Sequence, residues 1–415
     1  MKPPVTFLAI GSRGDVEPLA ILAGALVAGG RAATVIAIDD YADLVRGHGA
    51  AFRGIGAAMH EVQRIGSSWL GHAALRTPLA QPLLLRQWLS GLAEPLADAL
   101  DEVAPGSLVV TGVASRDAGL ALVEQRGCRM ATVLHTAVLP TAQRDSHLEG
   151  RWFWGVPGAD RAFTRWYWRS VSGVSRATSS TFRARHGLGR PGDGTVTAAA
   201  DRHPVWLAAD PVLVPLASDW PDGVVQTGAI RPVTAEPLQP GEPLASFLPA
   251  GPPPVYLGVG SLTDAGGQRW LERIVAAARR SGRRVLTPAL TGSEPMLVDD
   301  LVCTIAPVPH DALFPLVAGL IHHGGAGTTA AALRAGVASV AVPAAFDQYY
   351  HARRLQALGV GPPPVPLHAL SVGRLANLIS EVGSGRYAQR AAVVGRQARS
   401  VDGTALTLAQ LSRLA

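Results

Sequence analysis

Short unbroken apolar runs, rather than apolar–polar alternation, dominate the pattern of this chain. Residues 5–10 (VTFLAI) form the first. Such runs mark strands covered on both faces, as in a parallel sheet. Residues 11–15 (GSRGD) read as a loop. An apolar helix follows from Pro18, with proline in its first turn and Gly29-Gly30 at its end. Residues 33–38 (ATVIAI) predict the next strand and complete a βαβ unit. Its first loop falls at the carboxyl edge of the sheet, where ligands of such sheets bind. Further strands are expected at 107–111 and 130–135, and helices at 83–100 and 116–125.

Residues 231–254 interrupt the pattern with Pro232, Pro237, Pro240, Pro243, Pro249 and Pro252-Pro253-Pro254. Proline at that density does not build helix or sheet interiors and reads as a semi-rigid linker. A second βα series starts at 255–260 (VYLGVG), with strands expected at 284–290, 302–306, 319–322 and 339–343. Residues 387–415 read as helical with a break at Asp402-Gly403. Two α/β halves with parallel sheets follow from this alternation.

One segment departs from the rest. Residues 151–169 (RWFWGVPGADRAFTRWYWR) gather Trp152, Phe153, Trp154, Trp166, Tyr167 and Trp168 in a chain with only 6% aromatics. One reading is an amphipathic helix packed into the core. The other is the wall of an apolar ligand pocket, or a membrane-surface contact, which Arg151, Arg161, Arg165 and Arg169 keep open.

Composition narrows the class. The 415 residues are 48% hydrophobic and 16% charged, which describes globular domains rather than disorder. The formal charge of +6 is scattered, with no compact basic run, so no nucleic-acid footprint is read. Cys128 and Cys303 lie far apart, which argues against a disulfide framework and suits a reducing, cytoplasmic setting. Lys2-Pro3-Pro4 leads straight into a strand, so no secretory leader is expected. No apolar run is long enough to insert stably in a membrane.

The stretch with the most chemistry is 320–329 (LIHHGGAGTT). An apolar approach that reads as a strand leads through Gly324, Gly325 and Gly327 into a helix beginning near Ala330. Glycines allow close backbone approach to a ligand. The helix start offers free N–H groups and the positive end of its dipole, a site for phosphate. His322 and the hydroxyls of Thr328 and Thr329 add donors, and a ligand-free tight turn is the plainer alternative.

Motifs spread over the chain resemble a family of two-domain nucleotide-sugar-dependent glycosyltransferases. That family includes the vancomycin-group antibiotic enzymes and the sterol and plant-metabolite glucosyltransferases. The matching stretches are GSRGDVEPL (11–19), VVQTGAI (224–230), VYLGVGS (255–261), HHGGAGTT (322–329) and VPAAFDQYYHARRLQALGVG (342–361). The resemblance implies two Rossmann-like parallel-sheet domains of GT-B architecture facing across a cleft. It places an acceptor domain at 1–230, the linker at 231–254, a donor domain at 255–395, and a helix at 396–415 crossing back to the first domain. It implies inverting transfer from a UDP- or dTDP-sugar to a hydroxyl of a hydrophobic natural product, with no metal and no cofactor beyond that co-substrate, by a monomer or homodimer.

By the same resemblance, Asp15 is the general base. Ser261, His322, Gly324, Gly325, Gly327 and Thr328 contact the diphosphate. Val308 holds the nucleobase, and Asp347 and Gln348 bind sugar hydroxyls. The acceptor pocket is read from the residues themselves, on Arg13 and on Trp152, Trp154 and Trp166 of the aromatic segment. The chemistry agrees. Departure of a nucleoside diphosphate needs donors for the charge developing on its oxygens. The attacking alcohol needs a base, and a single carboxylate suits in-line inversion better than a covalent intermediate. Plainer readings stand beside these: Asp15 and Asp347 as helix caps, His322-His323 as a metal pair. Two rival functions are an epimerase or hydrolase on the same plan, and a non-catalytic partner that activates another enzyme. A sterol or lipid acceptor is the alternative within transfer itself.

Overall fold

The computed structural model describes residues 3–56, 86, 88–189, 202–232, 237–258, 267–290 and 292–414. They fall into two compact units, Met1–Val233 with Val401–Ala415, and Thr234–Ser400.

The first unit is built on seven parallel strands: β1 (Val5–Leu8), β2 (Ala33–Ala37), β3 (Ala51–Gly54), β4 (Leu108–Thr111), β5 (Arg129–Leu134), β6 (Val205–Leu207) and β7 (Val224–Gln226). Their order is β3-β2-β1-β4-β5-β6-β7. The chain therefore reverses direction between β1 and β4. Alternate residues of the first apolar run feed two cores. Val5, Phe7 and Ala9 pack with Leu19 and Leu22 of the helix Arg13–Ala28. Leu8 and Ile10 pack with Leu96 and Leu100 of the helix Ala93–Asp101. Burial on both faces is why this strand reads as an unbroken run.

The second unit repeats the plan with β8 (Val255–Gly258), β9 (Val285–Pro288), β10 (Val302–Ile305), β11 (Gly319–His322) and β12 (Ser339–Ala341), all parallel in the order β10-β9-β8-β11-β12. Its reversal lies between β8 and β11. Val255 and Leu257 join one core and Tyr256 the other.

The structure differs from the sequence expectations at four places. The strands β3, β6 and β7 were not foreseen; β3 has no buried residue and β7 only one, so neither is a run covered on both faces. The first helix starts at Arg13, not Pro18, because Ser12 and Asp15 form a capping box that brings the supposed loop into the first turn. The expected linker is folded chain from residue 237 on, where Leu244 and Phe247 enter the core of the second unit. Arg284 lies over the Phe247 ring, 4.0 Å from its centroid. Finally, the helix Ala388–Arg399 stays with the second unit, while Gly403–Leu414 belongs to the first, its Leu411 fully buried beside Leu19 and Leu22. Thr404 fixes that helix: its hydroxyl accepts from the Arg231 N–H at 2.9 Å and donates to the Arg231 carbonyl at 2.6 Å.

Among the described residues no helix is long and apolar enough to cross a membrane. Both cysteines are buried and unpaired.

Candidate active site

In a doubly wound sheet the ligand crevice lies at the carboxyl ends of the strands, where strand order reverses. In the second unit that point is the end of β8 and β11. Here the His323 N–H donates to the Gly258 carbonyl at 3.2 Å, and the chain turns through the glycines into the helix Ala326–Ala335.

Gly324 is the pivot of the turn. Its φ is +91°, and a Cβ there would lie 3.0 Å from the Gln348 carbonyl oxygen, so only glycine fits without strain. Its peptide is clamped between two imidazoles. The Gly324 N–H donates to His322 Nδ1 at 3.1 Å, and His351 Nδ1 donates to the Gly324 carbonyl at 2.7 Å. Both rings are fully buried. Burial pushes the His322 pKa well below its ordinary value and that of His351 down to about 4, so both are neutral. The hydrogen bonds then fix opposite tautomers. His322 carries its proton on Nε2, and His351 leaves Nε2 bare; neither Nε2 has a partner.

The helix beyond has Gly325 at its N-cap and no side-chain cap. Its first N–H groups and dipole are therefore open to an anion. Gly327 is exposed and Thr328 half-buried at this end. Thr329 is different from expectation. Its buried hydroxyl donates back to the Gly325 carbonyl at 2.8 Å, stapling the first turn rather than facing a ligand. The helix also starts earlier than the sequence suggested, at Ala326.

Two more strand ends contribute. Val308 is half-buried just past β10. Asp347 and Gln348 follow β12, with Asp347 at the N-cap position of the helix Gln348–Leu358 but making no capping bond. An Asp347 carboxylate oxygen lies 3.8 Å from His351 Nδ1. Gln348 Oε1 accepts the N–H groups of Ala344 at 2.8 Å and Ala345 at 3.1 Å, which pins the loop and turns the NH2 end elsewhere. Phe346, immediately before them, holds φ +50°, the sole positive φ of a non-glycine residue among the described residues. Ser261 lies outside the described residues.

In the first unit the reversal lies at the ends of β1 and β4. Asp15 sits in the first turn after β1, half-buried, with Oδ2 accepting the Ser12 N–H at 2.8 Å and the Ser12 hydroxyl at 2.9 Å. A Cβ on Gly11 would fall 2.3 Å from that oxygen, so glycine is needed beneath the carboxylate. Two titratable side chains unforeseen in the sequence are close enough to sense Asp15. Tyr41, after β2, has its pKa pushed up to about 12, by burial first and by the charge of Asp15 second. His135, at the end of β5, is held neutral by burial, which outweighs the opposing pull of Asp15, and its Nε2 is buried without a partner. Arg13 points to Glu17, with two bonds of 2.9 and 3.0 Å.

The aromatic segment divides between both of its readings. Tyr167 and Trp168 are core on the helix Pro157–Ser175. Trp152, Trp154 and Trp166 are exposed. No group of three or more His, Cys, Asp or Glu side chains suited to a metal occurs among the described residues.

Comparison with known proteins bears on the family and the fold. Residues 282–400 match the family model described as "Erythromycin biosynthesis protein CIII-like, C-terminal domain". Glycosyltransferase GtfE of Amycolatopsis orientalis is 31% identical over 362 residues, covering 85% of this chain and 83% of that protein. Vancomycin aglycone glucosyltransferase of the same organism is 47% identical over 161 residues, covering 38% of each. Sterol 3-beta-glucosyltransferases of Arabidopsis thaliana and Yarrowia lipolytica also match; the chain covers 31% and 28% of their lengths. Among solved structures, the glycosyltransferase VinC in complex with dTDP superposes with a TM-score of 0.67 at 18% identity, over 99% of both chains. That likeness places the fold among GT-B structures.

Proposed function

The chain belongs to the glycosyltransferase family that includes the vancomycin-group enzymes of Amycolatopsis orientalis, and from that premise we propose that it moves a sugar from a UDP- or dTDP-sugar to a hydroxyl of a hydrophobic natural product, with inversion. The observation that carries this reading is the clamped Gly324 turn. It couples an uncapped helix start to a buried His322 whose Nε2–H has no partner. Preorganised donors of this kind stabilise charge developing on a leaving diphosphate without reorganising. His322, Gly324, Gly325, Gly327, Thr328 and Ser261 hold the diphosphate, Val308 the nucleobase, and Asp347 and Gln348 the sugar. A sterol or lipid acceptor is a second reading, favoured by the exposed Trp152, Trp154 and Trp166. The two buried, unpaired cysteines support a cytoplasmic setting.

Asp15 is the base that takes the acceptor proton. Its bonds from Ser12 occupy Oδ2 and aim the carboxylate, and Oδ1 remains for the alcohol. The test is Asp15→Asn. Asparagine accepts from Ser12 much as aspartate does, so fold and donor affinity stay near wild type. The rate should fall about 10²–10⁴-fold, less for a phenol than for an aliphatic alcohol. Full activity in a well-folded variant would sink the assignment.

No divalent ion is assigned a role, since neutral donors serve the diphosphate. Turnover should therefore survive a strong chelator; loss on chelation with recovery on adding a divalent ion overturns this.

A further inference from the structure

We propose that the exposed aromatic and basic surface between Trp152 and Arg169 docks the protein peripherally on an anionic lipid bilayer. Four large apolar side chains stand open in this one segment: Trp152 at 43%, Trp154 at 66%, Val156 at 56% and Trp166 at 39% exposure. They form a built surface. Phe163 sits between two of the tryptophans, edge-on to Trp154 at 5.6 Å and stacked with Trp166 at 6.0 Å. The turn bearing Trp154 is tied down, its N–H donating to Asp160 Oδ1 at 2.7 Å. Asp160, the only acid in residues 151–169, is buried by that role.

The charge left on the surface is basic. Arg165 and Arg169 flank Trp166 on the exposed face of the helix Pro157–Ser175. Neither has an acidic partner among the described residues, whereas Arg151 and Arg161 are paired with Glu149 and Asp219. The opposite helix face, with Tyr167, Trp168 and Val174, is already buried, so the exposed rings are not spare core. Tryptophan rings settle at the headgroup level of a bilayer, and arginines beside them draw anionic headgroups. With no membrane-crossing helix among the described residues, the contact is peripheral.

The test is co-sedimentation of the full chain with phosphatidylcholine vesicles and with vesicles containing phosphatidylglycerol. The protein should pellet with the anionic vesicles only, and less so as salt rises. R165Q/R169Q should lower the partition coefficient on the order of tenfold, and W154A/W166A should do likewise. Circular dichroism and melting temperature should stay at wild type in both, because all four side chains are exposed. Absence of binding to anionic vesicles overturns the proposal, as does binding that neither pair alters. Self-association of the wild type lost in W154A/W166A, without vesicle binding, assigns the surface to a second copy instead. The vesicles hold no sugar donor, so no transfer takes place in this assay and its outcome leaves the glycosyl-transfer reading untouched.

Discussion

Phe346 occupies the left-handed region at φ +50° directly before Asp347 and Gln348. A bulky residue there costs about 1–2 kcal/mol relative to an ordinary conformation. Such a cost persists where surrounding contacts over-determine the backbone, here through Gln348 Oε1 on Ala344 and Ala345. Phe346→Gly should relieve the strain, keeping or raising the melting temperature. It should also loosen the pair that follows and raise the donor KM on the order of tenfold, the loss of one charge-assisted bond. A lower melting temperature with unchanged KM would reduce Phe346 to a packing residue. Nothing in the sequence announces this strain, because phenylalanine gives no local sign of positive φ. The clamp on Gly324 is likewise half legible: His322 stands in the glycine-rich motif, but His351 arrives from the next helix with no spacing to mark it. His135 and Tyr41 were missed for the same reason, although both follow strand ends at the edge where the fold places ligands.

At the scale of elements, unbroken apolar runs located nine of the twelve strands among the described residues, because burial on both faces leaves the same signature at β1 and at β11. β3, at the edge of its sheet, escapes that rule because it has no buried residue at all. The last helix could be read as a helix, yet its docking is carried by tertiary contacts. Thr404→Val keeps shape and removes the hydroxyl that serves both backbone groups of Arg231. Leaving those groups short of partners should cost about 1–3 kcal/mol in chemical denaturation. An unchanged midpoint would show that water replaces the hydroxyl and that the packing of Leu408, Leu411 and Leu414 holds the helix.

For the whole molecule, buried histidines set a limit on acid stability. His351 is fully buried, with its pKa lowered to about 4 from the ordinary 6.5, and burial holds His322 well below its ordinary value. Between those values the unfolded chain binds protons that the native chain refuses, so stability rises with pH there. It should be complete above about pH 6.5 and decline toward pH 4, by roughly 3 kcal/mol for His351 alone. Urea midpoints measured across this window should show the slope, and His351→Gln should lessen it; a flat wild-type profile would falsify the buried neutral state. The return of Gly403–Leu414 to the first unit has a consequence for biosynthesis. Residues 234–400 form one continuous stretch, so the second unit draws on nothing beyond it. The first unit, begun earlier, waits for residues 403–414 before Leu411 can cover Leu19 and Leu22. The domain translated first is thus the last to be completed, and a stalled or clipped nascent chain leaves that apolar seam open to chaperones.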